Sequence, residues 1–167
     1  MGIYTAIQSS IIARLQTIEG IKESQAQVRA GFQRAITPEK FEELFQVTLE
    51  ETKPISAWLV IWEGAAASRP HTLQSLWVDH RFGIIGYKSY NETSDNEIRV
   101  IANRVLDSLA VYLTLGMYDA TIEGTVIEDV QIELTNLGYQ SLGPVLCSKA
   151  EFLLRARERR VPVQWDT

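Results

Sequence analysis

The stretch from Ser94 to Leu115 constrains the fold most, because only there do a helical period, a start signal and a stop signal agree. Ile98, Ile101, Val105, Leu109 and Tyr112 recur every three or four residues and line one face, while Arg99, Asn103, Arg104 and Asp107 fall mainly elsewhere. Ser94 reads as an N-cap, with Glu97 completing a capping box. Asp95 adds negative charge to the first turn, where it suits the helix dipole. Gly116 follows as a stop. Such a face must be buried, and at roughly 1.5 to 3 kcal/mol per aliphatic side chain it stabilises a sheet-packed helix by on the order of 10 kcal/mol.

The flanking sequence supplies the sheet. Ala57 to Trp62 is apolar on both faces, as in an interior strand covered by helices on one side and by something else on the other. Gly64 to Pro70 reads as a flexible tip. Leu73 to Asp79 and Ile84 to Tyr90 are strand regions that Gly83 and Gly86 join as a bulge or bend, giving one long, curved strand. Val126, Val130, Ile132 and Leu134 alternate with Asp129, Gln131 and Glu133 in a half-buried strand. Asn136-Leu137-Gly138 and Gly143-Pro144 bracket a long turn. In the last strand Leu146, Ala150, Phe152, Leu154 and Ala156 share a face, and residues 158–167 leave the fold as a tail.

Towards the N-terminus, Ile3, Ile7, Ile11, Leu15 and Ile18 mark an amphipathic packing helix ending before Gly20. Residues 21–36 alternate weakly, as an irregular or edge segment would. Thr37-Pro38 opens a short helix with Phe41, Leu44 and Phe45 facing inward. The expected fold is α+β: a mostly antiparallel, twisted sheet of about four to five strands with two main helices packed on one face. It forms a single domain over residues 1–157, in which 21–53 is an insert carrying the short helix.

A chain of 167 residues, 46% hydrophobic, supports one core. Its net charge of −5 disfavours generic binding to nucleic acid or an anionic membrane surface. The lone Cys147 excludes an internal disulfide and fits a reducing cytosol. No apolar run approaches the length of a membrane span, and polar residues interrupt the N-terminal run where a signal peptide would be continuous.

Chemical signatures are sparse. His71 and the Asp79-His80 pair lack a metal-ligand spacing and read as surface or ladder residues; a hydrolase using His80 with Asp79 is a minor reading. Cys147 reads as a small half-buried strand residue. There is no nucleophile elbow and no phosphate-cradling loop. No catalytic, cofactor-binding or metal residue is therefore assigned, no cofactor is expected, and the chain reads as a non-enzyme. Trp58, Trp62 and Trp77 lie in strands and read as sheet packing, whereas Trp165 sits in the tail and is a candidate for docking on a partner.

Two charge features stand out. Segment 119–133 holds Asp119, Glu123, Glu128, Asp129 and Glu133 with no Lys or Arg. Between Lys149 and Arg160, five cations face Glu151 and Glu158, a local surplus of three positive charges in an acidic protein.

The order of elements resembles the tail terminator (tail completion) proteins of long-tailed bacteriophages, of the minor tail protein U type. The likeness runs from Ile3 to about Arg157. It rests on the N-terminal helix, the apolar strand after a proline (Pro54 to Trp62), a tip leading into a long strand (Leu73 to Tyr90) and the interrupting helix (Ser94 to Leu115). A hairpin with a Gly-Tyr turn (Gly138-Tyr139) before a long C-terminal strand completes it. The segment 21–53 is longer than that family usually carries.

The resemblance implies a structural virion protein of the tail and neck, assembled in the host cytoplasm, with no membrane contact. Its implied partner is first itself, as a homohexameric ring capping the finished tail tube. Tail tube protein, head-tail connector protein and, in a contractile tail, sheath protein would be the others. DNA would pass through without specific binding, which makes Asp129 and Glu133 candidates for an acidic lumen that repels it. Arg155, Arg157, Arg159 and Arg160, the last three expected to overshoot the partner strand, become candidates for the subunit or partner interface with Trp165. The alternatives are a small dimeric α+β binding or regulatory module and another neck or head-completion protein.

Overall fold

The computed structural model describes residues 3–22, 27–34, 36–68, 76–116 and 125–160. His71, Asp119, Glu123 and Trp165 lie outside the described residues, as do the side chains of Tyr112 and Val126. The elements are α1 (Ile3–Leu15), β1 (Gln27–Gly31), α2 (Pro38–Phe45), β2 (Ser56–Ser68), β3 (Leu76–Ser89), α3 (Ser94–Gly116), β4 (Thr125–Leu142) and β5 (Val145–Arg160). One five-stranded sheet runs β1-β2-β3-β5-β4. Only β1 pairs in parallel, with β2, and α2 lies in the connection between them; a parallel neighbour needs such a crossover. The other pairings are antiparallel.

The two main helices cover one face, as the apolar periods require. Ile7, Ile11 and Leu15 of α1 and Ile98, Ile101, Val105 and Leu109 of α3 pack with Trp58, Val60, Phe82, Ile84, Phe152 and Leu154 of the sheet. On the opposite face, Phe41 and Phe45 of α2 pack with Leu59, Ile61, Ile85, Tyr87 and Cys147. Thus β2 is apolar on both faces because each receives a helix. Thr37 caps α2 by accepting from the Lys40 backbone N–H at 3.3 Å, with proline at the first turn, and Gln46 ends it in the left-handed conformation. The 21–53 segment therefore supplies an edge strand and the cover of a second core.

Several local expectations give way to tertiary pairing. Gly64 to Ser68 is not a tip: β2 continues there against Trp77 to Arg81, after a bulge between Trp62 and Gly64. No register shift interrupts β3 at Gly83 or Gly86. At Gly86 a Cβ would sit 2.5 Å from the Trp58 ring, so this glycine makes room for an indole. Gly138 and Tyr139 do not turn the chain; they pair with Lys149 and Ser148, and the hairpin closes at Gly143-Pro144, Gly143 having φ +59. Positive φ suits glycine there. Nor does the chain leave the sheet at Glu158, since β5 extends to Arg160, held between Leu76 and Thr125.

The start of α3 also differs from a simple capping box. Ser94 Oγ donates back to the Asn91 carbonyl at 2.9 Å, and Thr93 Oγ1, not Ser94, bonds Glu97 at 2.8 Å. Ser94 is fully buried and meets Ser148 Oγ at 3.1 Å, while Ser148 Oγ also donates to Asp95 at 3.1 Å. These bonds tie the helix start to β5. Leu146 shares strand parity with Phe152 but is 44% exposed, because it lies near the hairpin end, beyond this buried junction.

Candidate subunit interface

Strand alternation sends Trp77, Asp79 and Arg81 of β3, Arg155, Arg157 and Arg159 of β5, and Asp129, Gln131 and Glu133 of β4 to the face that carries α2. The helix covers only the part of that face around Leu59, Ile61, Ile85 and Tyr87. At the boundary, Arg34 forms a two-pronged ion pair with Glu63. That carboxylate lies over Gly83, where a Cβ would collide with it. Beyond this pair the sheet is open and charged.

Registers decide how the charges meet. Asp79 is opposite Arg157, Arg81 opposite Arg155, and Trp77 opposite Arg159. On the other side, Arg157 is opposite Asp129, Arg155 opposite Gln131, and Glu133 opposite Leu153. Arg157 uses Asp79: Nε donates to Oδ1 at 2.8 Å and Nη2 to Oδ2 at 3.3 Å, with the guanidinium 4.9 Å from the centre of the Trp77 ring. Asp129 instead accepts from Gln131 Nε2 at 3.3 Å. Lys149 pairs with Glu151 at 3.1 Å. A small cleft of about 120 Å³ lies among Asp79, Asp129, Gln131, Arg155 and Arg157.

Arg160 belongs to the opposite face. Its Nε donates to Glu158 Oε1 at 2.7 Å, and His80 Nε2 lies 2.7 Å from Glu158 Oε2. Burial pushes the Glu158 carboxyl up, but bonds from Arg160 and His80 outweigh it and hold the carboxyl below the ordinary glutamate value. Asp79 and His80 therefore point to opposite faces and serve different partners, so they do not form an acid–base pair. Cys147 is buried, and burial pushes its thiol up to about 11, which disfavours the nucleophilic thiolate. Among the described residues, no three of His, Cys, Asp and Glu converge as metal ligands, and no helix is long and apolar enough to cross a membrane.

The site thus gathers part of the expected set. Arg155, Arg157 and Arg159 share the open face with the exposed carboxylates Asp129 and Glu133. Arg160 is turned away into an ion pair, and Arg157, Arg159 and Arg160 do not overshoot the partner strand but pair with Asp129, Val126 and Thr125. No protein-family model matches the chain, and no curated relative matches it. The site rests on its own geometry. In that geometry Arg81 and Arg155 lie directly opposite each other, both exposed, with no carboxylate partner among the described residues. Arg81 carries no local signal in the sequence; only the β3–β5 register joins it to Arg155. Trp62, 37% exposed, stacks on Tyr4 at 4.4 Å between ring centres beside α1.

Proposed function

We propose that the chain is a ring-forming tail terminator of a long-tailed bacteriophage, a structural virion protein that caps the finished tail tube and ends its polymerisation. The observation that carries the reading is the order of elements. The apolar β2 after Pro54 leads to the long β3, α3 interrupts, and the β4–β5 hairpin completes one sheet with α1 and α3 on a common face. The open charged half of the sheet supports self-association, since exposed like charges without partners favour a complementary surface. Its partners are then a second copy, the tail tube, the head-tail connector and, in a contractile tail, the sheath. Asp129 and Glu133 are exposed on edge strand β4, and in this reading they line the lumen and repel passing DNA.

Electron microscopy of lysates from the parent phage lacking this chain tests the proposal. Tails of uncontrolled length, unattached to heads, are expected. Normal-length tails without heads would indicate another neck or head-completion role, and normal virions would exclude both.

A further inference from the structure

Like charges directly opposite on neighbouring strands destabilise a sheet, and like charges four residues apart destabilise a helix. Among the described residues there is one pair of each kind, of opposite sign. Arg81 and Arg155 face each other across β3 and β5 on the open half of the sheet. Glu39 and Glu43, at that helical spacing on α2, are exposed and form no ion pair among the described residues. Cβ separations are roughly 4.5 to 5.5 Å for a cross-strand pair and 5 to 6 Å for a helical one, so two guanidinium groups match two carboxylates.

The geometry points to a head-to-tail contact between copies of this chain, in which Arg81 and Arg155 of one copy take Glu39 and Glu43 on α2 of the next. Each pair relieves the other's repulsion, and arginine can grip a carboxylate with both prongs of its fork. An aromatic anchor stands beside α2, the helix whose carboxylates accept. Phe32, 98% exposed, lines a cleft of about 410 Å³ together with Glu43 and Leu44, and exposed aromatics of this kind carry interface energy. On the receiving half, Ala66, opposite Asp79, is small and exposed. Two different patches meeting head to tail generate a ring when the rotation closes. The contact rests on the proposed self-assembly, and it moves the interface from Arg157 and Arg160, which the fold uses internally, to Arg81 and Arg155.

Native mass spectrometry and sedimentation decide it. The double variant Arg81→Glu with Arg155→Glu should still fold and melt cooperatively yet raise the apparent dissociation constant by roughly a hundredfold or more, since like charges then face each other. Adding Glu39→Arg and Glu43→Arg to the same chain should restore assembly, and Phe32→Ser alone should weaken it. Wild-type assembly should also weaken as salt rises. A wild type that stays monomeric overturns self-assembly and this contact together. A wild type that assembles, with a double variant that assembles equally well, overturns this contact alone. So does failure of the quadruple variant to reassemble while folded.

Discussion

His80 and Glu158 meet between β3 and β5 in full burial, Nε2 to Oε2, at 2.7 Å. The ionised carboxylate can only accept, so Nε2 carries the proton, and His80 Nδ1 has no hydrogen-bond partner among the described residues. Arg160 completes the cluster from the solvent side. This interaction pins β5 past the point where a basic, polar run would read as a departing tail.

Because burial raises the Glu158 carboxyl while Arg160 and His80 lower it further, the net direction is down from 4.5. A depressed carboxyl contributes stability that is present above its unfolded value and is lost as pH falls from about 4.5 through the folded value. Glu158→Gln should therefore destabilise the protein at pH 7 by on the order of 2 kcal/mol. The difference from wild type should shrink below about pH 4. Thermal melts of both proteins across pH 3 to 7 check this; a pH-independent difference would show that the carboxylate charge contributes nothing.

The contact of Trp58 with Gly86 makes a steric prediction. Gly86→Ala should cost about 1 to 3 kcal/mol, because the indole must shift within a packed core. Gly138→Ala, whose nearest neighbour would be Asn136 at 3.6 Å, should stay within about 0.5 kcal/mol of wild type. Denaturant titration of the pair separates close approach from a general intolerance of side chains in this sheet.

Leu109→Asp should abolish folding, since Leu109 is fully buried beneath α3 and a carboxylate there costs several kcal/mol. Loss of the cooperative melt is the expected result. A soluble protein with an unchanged melt would mean that α3 is not packed on the sheet.

Cys147 should resist alkylation in the native protein, its thiol being buried and pushed up to about 11. Mass spectrometry after iodoacetamide treatment at pH 8 should find it unmodified until denaturant is added. Rapid native labelling would show that the α2 side of the sheet opens readily.

The legible parts of this fold are those where local pattern and tertiary packing ask for the same thing. Ile98 to Leu109 announce a buried helical face, and Thr37-Pro38 announces the start of α2, because the cap and the missing N–H act within one turn. Val130, Ile132 and Leu134 give the buried parity of β4 for the same reason. The cross-strand registers were not legible. Glu158 resembles one more surface charge until His80 is seen beside it, and Arg81 gains meaning only opposite Arg155. Both depend on pairing residues more than seventy positions apart, which alternation within a strand does not encode. Gly138-Tyr139 has turn composition, yet Tyr139 is held in the hairpin beside α3, where its hydroxyl donates to Asp95.

In the proposed function, this chain closes a ring with copies of itself. Native mass spectrometry of the purified wild-type protein at low ionic strength, with negative-stain electron microscopy of the same sample, measures it directly. A species of six chain masses with an annular projection is expected. A stable monomer or a compact dimer at micromolar concentration would contradict it.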